Sequence, residues 1–135
     1  MTYRKGLLLA AGAITLAGIP LVPASAATDA DVVTKYDTDH DQSLSLDEVK
    51  AAASAHFDKL NKDGDSTLET KEVQGVIGPK AFKAADTDHD GSLSKDEYLA
   101  LVQKLFQKAD ADHDGTLTST ELQSRSGRAL KRLID

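Results

Sequence analysis

The sequence predicts an all-α fold, a compact bundle in which four 12-residue acidic loops are joined by short single helices. Three observations predict it. Segments beginning at Asp37, Asn61, Asp86 and Asp110 repeat at a spacing of 24 or 25 residues, and each ends on a glutamate: Glu48, Glu72, Glu97 or Glu121. Apolar residues recur at fixed places around them: Val33, Phe57, Phe82 and Phe106 four residues before each loop, Leu44, Leu68, Leu93 and Leu117 inside, and Val49, Val73, Tyr98 and Leu122 just after. The gaps 49–60, 73–85 and 98–109 hold only 12 or 13 residues, room for one helix rather than two.

The first segment, 1–26, has the composition of an export signal. Arg4 and Lys5 precede an almost wholly apolar run from Gly6 to Val22, and Ala24-Ser25-Ala26 gives the small-x-small pattern of a cleavage site. The run is shorter than the ~20 residues of a spanning helix, and Pro20 and Pro23 interrupt its end. Cleavage would leave residues 27–135 as one exported domain, periplasmic or secreted, with no membrane segment. That domain keeps 14 basic residues against 22 acidic ones, a net charge of −8 compared with −6 for the full chain. There is no Cys, hence no disulfide framework and no thiolate metal site.

Residues 46–60, Ala-rich and unbroken, read as one helix. At 1.5 Å per residue it spans ~22 Å, so the loops at its two ends cannot pair with each other. The next gap carries Gly75 and then Gly78-Pro79, a helix stop at which the chain can turn back. A second unbroken helix is expected near 96–109. The second loop should therefore lie beside the third, and the first beside the fourth. Residues 122–135 should form a last helix that packs Leu130, Leu133 and Ile134.

The loops occupy 37–48, 61–72, 86–97 and 110–121 and resemble the EF-hand calcium loop, D-x-[DN]-x-[DN]-G-x5-E. Oxygen-bearing side chains stand at positions 1, 3 and 5: Asp37, Asp39 and Asp41; Asn61, Asp63 and Asp65; Asp86, Asp88 and Asp90; Asp110, Asp112 and Asp114. Position 7 supplies a backbone carbonyl, here from Ser43, Thr67, Ser92 and Thr116, and position 9 is Ser45, Glu69, Ser94 or Thr118. The position-12 glutamate offers both carboxylate oxygens, completing the 6 to 8 oxygens that Ca²⁺ takes. Of the 22 acids, 15 fall on positions 1, 3, 5 or 12, and Glu69 makes 16, so the charge is concentrated in the loops.

Loops three and four match the pattern fully, with Gly91 and Gly115 at position 6, where the backbone is left-handed. Loop one has Gln42 there and loop two Ser66, which costs roughly 1 kcal/mol or more. Loop two also begins on the neutral Asn61, a loss that Glu69 can offset. Loops one and two are expected to bind more weakly, or to be helped by their partners.

The four loops with short gaps, AHFDKL before loop two, KDEYLA after loop three and the tail RALKRLID together resemble the lanmodulins, periplasmic EF-hand proteins of methylotrophic bacteria that bind lanthanides. The likeness covers nearly all of 27–135. It implies a signal peptide, a compact arrangement of three main helices and folding driven by metal. That family carries Pro at position 2 and Asp at position 9. Here position 2 is Thr38, Lys62, Thr87 or Ala111, and position 9 is as given above. About one carboxylate fewer per loop favours a divalent over a trivalent ion, because attraction scales with the charge product. The expected ligand is Ca²⁺, in a buffer or sensor; a selective lanthanide (Ln³⁺) binder of the lanmodulin type is the alternative.

Other classes fit less well. Net negative charge opposes nucleic acid. Outside Met1 there is no Met, so the Met-rich groove of partner-gripping sensors is missing, and a monomer is expected. No nucleophile stands out, and the conspicuous acids already have metal roles, which argues against an enzyme. His40, His89 and His113 at position 4 should face solvent, and His56 reads as an ordinary helix residue. Arg125, Arg128, Lys131 and Arg132 read as a solvated helix face.

Overall fold

The computed structural model describes residues 28–135; the candidate signal segment 1–26 lies outside them. The described chain forms five α-helices: α1 (Asp29–Tyr36), α2 (Leu46–Leu60), α3 (Pro79–Ala85), α4 (Lys95–Ala109) and α5 (Arg125–Ile134). Between them run four short strands, β1 (Leu44–Ser45), β2 (Thr67–Glu69), β3 (Ser92–Ser94) and β4 (Thr116–Leu117). No described helix is long and apolar enough to cross a membrane.

Helix starts follow from local chemistry. Thr28, Ser45 and Ser94 cap α1, α2 and α4, each accepting from the third helical N–H while an acid at that position answers the cap's own N–H. Asp31, Glu48 and Glu97 are those acids, so two of the loop-closing glutamates are also helix-capping residues. α3 starts at Gly78-Pro79 with proline in the first turn, and Gly75 at φ +86° turns the chain ahead of it. Each helix that leads into a loop stops at the loop's first residue. The N–H of Asp37, Asn61, Asp86 and Asp110 returns to the carbonyl of Val33, Phe57, Phe82 and Phe106 at 2.8–2.9 Å.

The strands pair as β1 with β4 and β2 with β3, both antiparallel. Loop one therefore lies against loop four and loop two against loop three, as the gap lengths predict. In the ribbons Leu44 faces Leu117 and Leu68 faces Leu93, all four fully buried. The all-α expectation needs correction here: each pair of loops contributes a two-stranded ribbon too short to read from alternation in the sequence.

α2 and α4 form the middle of the bundle, with α5 across them. Phe57 and Tyr98 meet edge to face at 5.5 Å between ring centres, and Val49, Ala53, Val73, Val102, Leu122, Leu130, Leu133 and Ile134 fill the space around them. The tail differs from the single helix expected over 122–135. A turn of 3₁₀ helix (Glu121–Gln123) is followed by a corner at Ser124, which caps α5 through Gly127 N–H. The corner is tight: a Cβ on Gly127 would lie 2.5 Å from the Glu121 carbonyl oxygen and from Leu122 Cα. Leu130, Leu133 and Ile134 are buried as expected, while Arg125, Arg128 and Arg132 are exposed and Lys131 pairs with Asp29 of α1.

Gly127→Ala is expected to lower stability by ~1–3 kcal/mol, the usual cost of overpacking against backbone that cannot yield. Chemical denaturation monitored by helix content would read it; an unchanged midpoint would show that the corner opens freely.

Candidate metal centre

Position 1 places a buried acid at the end of a helix in three of the four loops. Asp37, Asp86 and Asp110 are only 7%, 8% and 7% exposed, and each caps the C-terminal end of a helix, the negative end of its dipole. A lysine in the last turn, Lys35, Lys83 or Lys108, offsets the dipole at each of these ends without pairing to the aspartate. In loops three and four one oxygen of the aspartate accepts the position-6 N–H, Gly91 to Asp86 Oδ2 and Gly115 to Asp110 Oδ2, both at 3.1 Å. The other oxygen, Oδ1 of Asp86 and of Asp110, is buried with no hydrogen-bond partner. A buried carboxylate oxygen without a donor is costly. Its natural complement here is a cation inside the loop.

The remaining acids face the same point. Carboxylate oxygens of Asp37, Asp39 and Glu48 lie within 4.8 Å of one another, as do those of Asp86, Asp88 and Glu97 and of Asp110, Asp112 and Glu121. This is hard, all-oxygen chemistry of the kind Ca²⁺ and Ln³⁺ accept, and the residues fit such an ion. The crowding shows in loop one, where desolvation and the neighbouring Asp37 push the Asp39 carboxyl up.

Backbone amides and hydroxyls hold each acid in place. Glu48 accepts from Thr38 N–H (2.6 Å) and hydroxyl on one oxygen and from Ser45 N–H (2.9 Å) and hydroxyl on the other. Glu97 repeats this with Thr87 and Ser94. Glu121 uses Ala111 N–H and Thr118, and Glu72 uses Lys62 N–H and Glu69 N–H. Position 12 is thus pinned between positions 2 and 9 in every loop. Burial opposes ionisation of Glu48, but the N–H groups of Ser45 and Thr38 outweigh it and hold the carboxyl at about 2. The N–H groups of Ser94 and Thr87 hold Glu97 at about 2 as well. At position 5, Asp41, Asp65, Asp90 and Asp114 each accept the N–H and hydroxyl of position 7: Ser43, Thr67, Ser92 and Thr116. At position 3, Asp39, Asp63, Asp88 and Asp112 accept the position-5 N–H at 3.3–3.4 Å.

Two roles went unread in the sequence. The hydroxyls of Ser45, Ser94 and Thr118 at position 9 donate to the closing glutamate and accept its N–H, so they act through that glutamate. Position 4 is left-handed in every loop: His40, Gly64, His89 and His113 have φ of 61°, 74°, 59° and 60°. Histidine tolerates this conformation better than most residues, and the three imidazoles are exposed, as expected. The repeated His-or-Gly at that position was the available signal.

The loops are not equivalent. Four metal loops were expected, and three gather an acid cluster. Loop two does not, because its position 1 is the neutral Asn61, half-buried, with its oxygen taken by Gly64 N–H at 2.9 Å. Glu69, which was to restore the lost charge, pairs with Lys71 at 2.7 Å. In loop one both Asp37 oxygens are already satisfied, Oδ1 by His40 N–H (2.6 Å) and Oδ2 by Gln42 N–H (2.8 Å). Gln42 and Ser66 adopt φ of 70° and 72°, the left-handed backbone expected at position 6.

Gln42→Gly and Ser66→Gly should each stabilise their loop by up to ~1 kcal/mol by relieving this strain. Unfolding midpoints at fixed cation concentration would read the gain, and a loss in both variants would contradict it. Because Glu48 and Glu97 have folded pKa values of about 2 against 4.5 unfolded, their contribution is full above pH 4.5 and is lost as pH falls towards 2. Helix content should therefore hold down to about pH 4.5 and fall below it; collapse complete above about pH 5 would contradict the assignment.

Among proteins of known annotation, none matches the chain. The EF-hand domain pair matches residues 28–103, and a single EF hand matches 101–124. The first match spans loops one to three and more than half of the 135-residue chain; the second spans loop four. The chain belongs to the EF-hand family.

Proposed function

We propose that this protein is an exported, non-enzymatic Ca²⁺-binding protein, a buffer or sensor, whose folding is coupled to metal. The observation that carries the reading is the pair of buried, partnerless oxygens, Asp86 Oδ1 and Asp110 Oδ1, each beside two further carboxylates. Asp86, Asp88, Asp90 and Glu97 would hold one ion, Asp110, Asp112, Asp114 and Glu121 a second, and Asp37, Asp39, Asp41 and Glu48 a third. The cation supplies positive charge where three carboxylates converge at the end of a helix dipole. The protein's part is to fix oxygens: position 7 locks position 5, and positions 2 and 9 lock position 12.

Coupled folding rests on the same charges. With the loops unfilled, like-charged carboxylates repel one another beneath the ribbons that carry the buried leucines. Export rests on the composition of residues 1–26. The lanmodulin-type reading, selective lanthanide binding, rests on the short gaps and shared segments. Against it, position 9 offers hydroxyls already bonded to the closing glutamate in loops one, three and four.

Helix content of residues 27–135, measured with chelator and with saturating Ca²⁺, tests the coupling: equal content in both states would refute it. Glu97→Gln and Glu121→Gln should each remove one strong site by calorimetric titration, and unchanged stoichiometry and affinity in both would sink the ligand assignment. Parallel titrations with La³⁺ and Ca²⁺ decide the ion. Folding at free La³⁺ many orders of magnitude below Ca²⁺ would establish the lanthanide reading; a gap of about two or three orders is what charge alone gives.

A further inference from the structure

The last carbonyls of a helix have no partner within it. In α5 two of them are taken by tyrosines from different parts of the chain. Tyr98 donates its hydroxyl to Leu133 O at 2.8 Å in the core. Tyr36 donates to Ile134 O at 2.6 Å, with Asp135 Oδ1 at 3.0 Å as a second acceptor. Both tyrosines adjoin candidate ligands in the sequence. Tyr36 immediately precedes Asp37, the first residue of loop one, and Tyr98 immediately follows Glu97, the last residue of loop three. Loops one and three belong to different ribbons. Lys35 and Lys131 strengthen the first connection, pairing with Asp135 and with Asp29 and so tying α1 to α5 at both of its ends.

The geometry points to the C-terminal end of α5 as the link between the two pairs of loops: Tyr36 and Tyr98, on consecutive carbonyls, make occupancy of loop three favour occupancy of loop one. This rests on the cation-binding reading above. Glu97 closes loop three and also completes the cap of α4, from whose first turn Tyr98 reaches Leu133, so a cation held by Glu97 braces that start further. Holding Leu133 in place positions Ile134 for Tyr36, and Tyr36 sets the end of α1 from which Asp37 enters loop one. Tyr36 and Tyr98 are positioning residues in this scheme. They touch no metal oxygen and act through their neighbours in the chain.

The position-6 amides give a separate reading for each loop. Gln42 N–H donates to Asp37 and Gly91 N–H to Asp86, so each amide resonance follows its own loop. The experiment titrates ¹⁵N-labelled residues 27–135 with Ca²⁺ and records the Gln42 midpoint, with and without Glu97→Gln. Glutamine still serves as the capping partner of Ser94. Losing loop three is expected to raise the Gln42 midpoint about fivefold, the worth of one hydrogen bond. In a Tyr36→Phe or Tyr98→Phe background the rise should vanish. If Glu97→Gln leaves the Gln42 midpoint unmoved, or raises it equally in both phenylalanine backgrounds, the link is refuted and any coupling runs through α2 and α4. Tyr36 is part-exposed, so Tyr36→Phe keeps the test decisive if Tyr98→Phe fails to fold. If millimolar Ca²⁺ moves no loop amide at all, the cation reading itself falls.

Discussion

The architecture depends on one electrostatic constraint: an aspartate buried at the C-terminal end of a helix, facing two more carboxylates. Asp37, Asp86 and Asp110 all stand there. Nothing about helix packing alone would select an acid at that position, where burial and the negative end of the helix dipole both oppose a negative charge. The sequence keeps the acids and surrounds them with backbone N–H donors. Those donors organise the carboxylates without neutralising them. Countercharge must come from outside the chain, and the loops are shaped to receive it.

The same residues build the helices. Glu48 and Glu97 close their loops and also complete the capping boxes of α2 and α4. At a helix N-terminus a carboxylate is favoured, so position 12 is held cheaply in its ionised form while position 1 is not. Each loop thus has one favourable and one unfavourable end. Loops one and two differ from three and four at the unfavourable end: Asp37 has its oxygens satisfied internally, and Asn61 has no charge. Each ribbon joins one loop of the first kind to one of the second. A fully matched loop therefore braces a compromised one across the paired leucines.

Much of this was legible in the sequence because the constraints are local. The spacing of the acids, the glycines at position 6, the Gly78-Pro79 stop and the 15-residue span of α2 each follow from the stereochemistry of a few adjacent residues, and the pairing of the loops followed from helix length together with that stop. What escaped reading depends on which of several donors reaches an acceptor. Glu69 read as a spare ligand, and its ion pair with Lys71, two residues on, went unread. The hydroxyls at position 9 were read as ligand oxygens, while their bonds to position 12 went unread. The corner at Gly127 arises from contact with the Glu121 carbonyl, which no pattern of apolar residues encodes.

The short gaps have a mechanical consequence. α2 leaves loop one and enters loop two; α4 leaves loop three and enters loop four. A helix shared by two loops cannot change its angle at one without carrying the other. In an EF-hand pair whose loops own separate helices, filling can swing those helices apart and open a groove, and sensors line that groove with methionine. Here α2 and α4 are shared, α5 packs on both, α1 is tied to α5 through Lys35 and Asp29, and no methionine follows Met1. The response such a frame allows is collective. The cation-coupled folding we propose would then trade a loosened chain for a closed one, rather than one compact shape for another.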